Sequence, residues 1–123
     1  MTISSSESAI NELRSVAEAC RKPDWDGYGA LPANEFSVAC AEKILRGLPS
    51  EYRTPELAIE SDGLVSMDWI ASRERMVSAT IGSDGAVCFA WLLARKHGYS
   101  LDRSGPGLLP KELAEKVLVV FAS

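Results

Sequence analysis

The stretch Ser61-Asp62-Gly63-Leu64-Val65-Ser66-Met67-Asp68-Trp69-Ile70 recurs in outline as Ser83-Asp84-Gly85-Ala86-Val87-Cys88-Phe89-Ala90-Trp91-Leu92, with Ser, Asp, Gly, Val and Trp in register. Successive side chains of a strand point to opposite faces, so Val65, Met67 and Trp69 share one face, as do Val87, Phe89 and Trp91. Both copies open on an Asp-Gly pair, a turn signal that starts a hairpin strand. Between them Arg75, Val77, Ala79 and Ile81 alternate with Met76, Ser78 and Thr80, which places a third strand between the two copies. Short turns on either side make the unit an antiparallel meander. Two similar strands are too few for a solenoid, which needs repeated whole units. The segment 86–93 is apolar on both faces, with Ala86, Cys88, Ala90 and Leu92 behind Val87, Phe89 and Trp91, and this predicts a strand that is central or covered on both sides. Leu57, Ala58 and Ile59 supply a short further strand.

Helices are expected before and after this meander. Ser4 with Glu7 three residues later forms a capping-box pattern ahead of Ile10, Leu13, Val16, Ala17 and Cys20, predicting a helix over 5–21 that Pro23 ends. Asn34 caps a second helix over 35–47, with Phe36, Ala39, Cys40 and Ile44 on its apolar face and Gly47 and Pro49 at its end. Arg95 to Leu108, rich in Gly, Ser and charge, reads as a surface loop of the length that often carries function. Pro110 suits the first position of a last helix that buries Leu113, Val117, Val120 and Phe121, while the β-branched residues from Val117 to Val120 leave a terminal strand as the competing reading. The fold class is therefore α+β: an antiparallel β-meander of three to four strands packed against two N-terminal helices and a C-terminal helix. A chain of 123 residues has the size of one domain, so residues 1–123 are read as a single unit.

Charge and cysteine content narrow the function classes. Seventeen acidic residues against thirteen Lys and Arg give a net charge of −4, which argues against direct nucleic-acid binding. Glu7, Glu12, Glu18, Glu35 and Glu42 are the carboxylates from which an acidic nucleic-acid mimic would have to be built, although solvated helix faces are commonly acidic. Cys20, Cys40 and Cys88 form no CxxC pair, so neither a disulfide framework nor a metal site is suggested, and reduced buried thiols in a cytoplasmic protein are expected. The serine-rich start from Met1 to Asn11 contains no apolar h-region, and no window has the length of a membrane span. No GxSxG, HExxH, P-loop, GxGxxG or kinase pattern occurs, and no cofactor is implied.

Three groups of residues are candidate sites. Trp25, Asp26, Gly27, Tyr28 and Gly29 set two aromatics beside a carboxylate, an arrangement that stacks and orients a planar ligand. The plainer and favoured reading has the aromatics plug one end of the sheet while Asp26 caps a turn. His97, the single histidine, precedes Gly98 and Tyr99 and has the chemistry for acid–base work, but nothing local supports that use. Arg73 and Arg75 flank Glu74 at the start of the middle strand, where guanidinium groups grip carboxylate or phosphate or simply form a solvated rim.

The run Trp25-Asp26-Gly27-Tyr28-Gly29-Ala30 followed by Pro32 resembles a group of small uncharacterised bacterial proteins. The resemblance extends through the second helix, the strands ending in Trp69 and Trp91, the His97-Gly98-Tyr99 segment and the Leu-Pro before the last helix. It implies a setting among mobile or accessory genes and transfers no catalytic residue. The expected function is a non-enzymatic protein-binding accessory factor, inhibitor or antitoxin-like, of a bacterial or phage mobile element. Trp25, Asp26, Tyr28, Arg73, Arg75, His97 and Tyr99 are its candidate partner-binding residues. The alternative is a small-molecule-binding domain or small hydrolase using the Trp25–Gly29 loop with His97. A protein partner is expected and no membrane, and an exposed meander edge leaves a homodimer open.

Overall fold

A computed structural model describes residues 4–122; Met1 to Ile3, part of the serine-rich start, and Ser123 lie outside the described residues. The elements are α1 (Ser5–Ala19), α2 (Glu35–Gly47), β1 (Glu56–Ile59), β2 (Val65–Ser72), β3 (Arg75–Ile81), β4 (Val87–Leu93), β5 (Lys96–Asp102) and α3 (Lys111–Val120). The strands form one antiparallel sheet in the order β1-β2-β3-β4-β5, a meander with every neighbour adjacent in sequence.

The repeated Asp-Gly motif is realised twice as the same turn. In the first, the Gly63 amide donates to the Glu60 carbonyl, the Glu60 amide to the Leu64 carbonyl, and the Asp62 carboxylate accepts from the Leu64 amide. The second repeats these bonds with Gly85 and Gly82, Gly82 and Ala86, and Asp84 and Ala86. Gly63 and Gly85 both stand at φ +85°, the left-handed conformation that an αL turn residue needs and that glycine reaches without a Cβ clash.

One face of the sheet carries the core. Leu57 and Ile59, Val65, Met67 and Trp69, Val77, Ala79 and Ile81, and Val87 and Phe89 are buried there against Ile10 and Leu13 of α1, Cys40, Ala41, Ile44 and Leu45 of α2, and Leu113, Val117 and Val120 of α3. Ser37 is the buried polar group that binds the layers: its hydroxyl donates to the Ile81 carbonyl at 2.6 Å and accepts from the Val65 amide at 3.0 Å, bridging the backbone of a β2–β3 pair. Both helix caps expected at the N-terminal side form, with Ser4 accepting from the Glu7 amide and Asn34 from the Ser37 amide.

Several expectations are corrected. The sheet has five strands rather than three to four, because Lys96–Asp102 is a strand and not part of a loop. Gly98 interrupts its alternation, and the reason lies on the neighbouring strand: Gly98 pairs with Trp91, and a Cβ at residue 98 would stand 2.2 Å from the indole. The β4 strand is interior, paired with β3 and β5, but it is not covered on both faces. Cys88, expected to be a buried thiol, and Ala90 are exposed, because all three helices precede or follow the meander and pack on its other side. In α2, Phe36, at 47% exposure, and Ala39 lie outside the buried face, and Ser37, Ala41 and Leu45 take inward positions. The first helix closes at Ala19 rather than residue 21, and Pro110 is the N-cap of α3 rather than its first residue. The segment Val117–Val120 is helical, since Leu113, Val117 and Val120 bury one helical stripe while Leu118 and Val119 face outward.

Candidate functional site

The Trp-Asp-Gly-Tyr-Gly-Ala loop is closed by its own carboxylates. Asp26 Oδ1 accepts from the Tyr28 amide at 2.8 Å and the Ala30 amide at 3.1 Å, and Asp24 Oδ1 accepts from the Gly29 amide at 2.6 Å. The Asp24 amide donates to the Ala30 carbonyl at 2.8 Å, which closes the ring of bonds. Asp24, Gly27 and Gly29 hold φ values of +60°, +78° and +83° so that these amides turn inward. Trp25 packs against the core, and its Nε1 donates to the Leu31 carbonyl at 2.7 Å. Tyr28, 93% exposed, stands outside this scaffold. The loop is anchored on the β1–β2 turn, with the Leu31 amide donating to Ser61 and the Asn34 amide to Gly63. Its Asp26 charge acts on Cys20, whose thiol is pushed up mainly by burial and further by this carboxylate.

Arg75 and Arg73 part company. The Arg75 guanidinium reaches the open C-terminus of α3, where Nε donates to the Val120 carbonyl at 3.1 Å and Nη2 to the Val119 carbonyl. The Val119 carbonyl also accepts from the Ala122 amide, and carbonyls of the last turn carry the negative end of the helix dipole, which a fixed cation complements. Arg73 sits exposed in the β2–β3 turn.

His97 and Tyr99 are exposed on β5, in the rows that pair with Leu92 and Ala90. The Trp25–Gly29 loop lies at the β1–β2 turn, whereas His97 is beside the β4–β5 turn, at the other end of the strands and on the opposite edge. Four strand spacings alone amount to about 19 Å. Asp26, Tyr28 and His97 therefore do not form one hydrogen-bonded constellation. The acidic helix faces are likewise broken up: Glu42 pairs with Arg14 and Arg46, and Glu18 with Arg21.

What the structure does assemble is the bare face of the sheet. Across the strands run a row of Ile70, Met76, Leu92 and His97, a second of Asp68, Ser78, Ala90 and Tyr99, and a third of Ala58, Ser66, Thr80, Cys88 and Leu101. Small residues occupy the middle, and Tyr99, Leu101 and Ile70 rise at the margins, exposed by 83%, 52% and 47%. Ser66 Oγ is buried in this face without a hydrogen-bond partner among the described residues. Of the sequence candidates only His97 and Tyr99 belong to it. Ile70 and Leu101 were missed, although their alternation with Trp69 and Ser100 was the available signal. Among the described residues no helix is long and apolar enough to cross a membrane, and no cluster of three or more His, Cys, Asp or Glu is placed to hold a metal ion. No protein-family model, curated protein or solved structure matches the chain.

Proposed function

We propose that this protein is a non-enzymatic binding module that engages another protein through the bare face of its sheet, as an accessory, inhibitor or antitoxin-like factor of a bacterial or phage mobile element. The observation that carries the reading is the set of exposed apolar side chains on that face, Ile70, Tyr99 and Leu101, around a shallow floor of Ser78, Thr80, Cys88 and Ala90. A flat sheet face with an aromatic anchor at its rim suits protein docking better than enclosure of a small ligand.

The alternative, a small-molecule-binding domain or small hydrolase, would be favoured by Asp26, Tyr28 and His97 within hydrogen-bond reach, and His97 lies at the other end of the sheet from that loop. The test is an affinity capture from native lysate with three baits: wild type, Ile70→Ser/Leu101→Ser, and Tyr28→Ala. Loss of a stoichiometric partner in the first variant, with retention in the second, supports the bare face. Equal capture by the sheet variant, at unchanged circular dichroism, sinks it.

A further inference from the structure

The two edges of the sheet are built differently. The β1 edge is short, follows Pro55, carries Glu56 at one end and Glu60 just past the other, and packs beside α1. Pro, charge and a covering helix are the usual protections of an edge. The β5 edge has seven residues and no proline, and among the secondary-structure elements it touches only β4. The chain that follows β5 turns inward, with Pro106 against Gly85 and Gly107 against Lys43, and leaves the outer side of the strand open.

The backbone of β5 can be assigned from its hairpin. Leu93 and Lys96 flank a two-residue connection and are paired, which makes them a hydrogen-bonded pair. Alternation then directs the N–H and C=O of Gly98, Ser100 and Asp102 toward β4, and those of His97, Tyr99 and Leu101 outward. We infer that β5 pairs antiparallel with β5 of a second copy of this chain, about a two-fold axis at Tyr99. In that register Tyr99 meets the partner copy's equivalent residue, His97 meets Leu101, Gly98 meets Ser100, and Lys96 meets Asp102. All the outward groups are then opposite one another, giving two backbone hydrogen bonds for each of the three odd-numbered pairs, about six in all.

Charge selects this register. Lys96 and Asp102 lie on the same face of the strand at its two ends, and neither makes an ion pair among the described residues. The two-fold brings them together twice. A one-step slide of the dyad to Gly98 or Ser100 loses both pairs. The lysine that protects an isolated edge here becomes the complement of the aspartate on the other copy. Such a dimer has a continuous ten-stranded sheet, with its two bare faces joined at the Tyr99 pair and the helix layers on the opposite side.

The inference concerns the edge and does not rest on the protein-partner reading, so it is tested on the purified chain alone by sedimentation equilibrium. The wild type is expected to show a mass moving from the 13.3 kDa chain toward twice that value between micromolar and millimolar concentration. Tyr99→Pro removes an outward N–H and no bond to β4, so it is expected to stay folded by circular dichroism and remain monomeric. Lys96→Asp and Asp102→Lys, each alone, set like charges opposite each other twice and are expected to raise the dissociation constant about tenfold. An equimolar mixture of these two variants restores both opposite-charge pairs and is expected to form a heterodimer, visible by native mass spectrometry. A wild type that stays monomeric at millimolar concentration overturns the inference. So does a dimer indifferent to Tyr99→Pro, and a mixture that associates no better than its components overturns the register.

Discussion

Replacing Asp26 by alanine separates a structural role for the Trp-Asp-Gly-Tyr-Gly-Ala loop from a ligand-binding one. The Asp26 carboxylate accepts from two backbone amides, Tyr28 at 2.8 Å and Ala30 at 3.1 Å. Tyr28 is exposed, so water replaces the carboxylate at its amide and the net cost there is about 0.5 kcal/mol. Ala30 is buried, and an amide left unsatisfied beside it costs about 1–2 kcal/mol. The expected loss is therefore about 2 kcal/mol for Asp26→Ala, and about half that for Asp26→Asn, which keeps one acceptor oxygen. At this chain length the alanine variant should melt about 8 °C lower. Thermal and urea unfolding followed by tryptophan fluorescence and circular dichroism measure it, with Tyr28→Ala as the control expected within about 0.5 kcal/mol of wild type. A shift below about 2 °C for Asp26→Ala refutes the reasoning. The carboxylate would then contribute nothing to loop closure and would be free for a ligand.

Arg75→Met keeps the aliphatic stem but removes both donors from the α3 carbonyls, and about 1–2 kcal/mol of stability should go with them. Faster amide exchange in Lys111–Val120 would report it, whereas Arg73→Met, at an exposed turn, should leave that exchange unchanged. Thiol titration should find Cys88 reacting rapidly in the native protein and Cys20 and Cys40 only on unfolding, since Cys88 is exposed and the other two are buried. Burial pushes both buried thiols up from 9.0, further raised by Asp26 at Cys20 and partly offset by Lys43 and the Gly107 amide at Cys40. A raised folded value means that their contribution to stability is whole below the unfolded value and is lost as pH rises through the folded one. The urea midpoint should accordingly fall above about pH 9, and a Cys20→Ala/Cys40→Ala variant should show a flatter alkaline limb.

Local chemistry was legible wherever a bond partner lay a few residues away. Ser4 and Asn34 each cap a helix through the amide three residues on, and the paired Asp-Gly turns are short enough to be written in consecutive letters. Alternation likewise placed Val65, Met67 and Trp69, and Val77, Ala79 and Ile81, on one inward face. The favoured plain reading of the loop fits Asp26, which caps the turn, and Trp25, which packs against the core, but not Tyr28, which is exposed and plugs nothing. What sequence could not supply were partners chosen by folding. Gly98 looks like a loop residue until Trp91 is seen lying across it, and Arg75 looks like a free anchor until α3 ends beneath its guanidinium. The small, apolar outer residues of β4 fit a covered strand and an uncovered one equally well, because alternation records side-chain size and not what lies above it. Tertiary structure decided that point. A meander joined by short turns has no crossover helix, so α1, α2 and α3 lie outside it in the chain; packing them on one side left the other face, and the β5 edge, without cover.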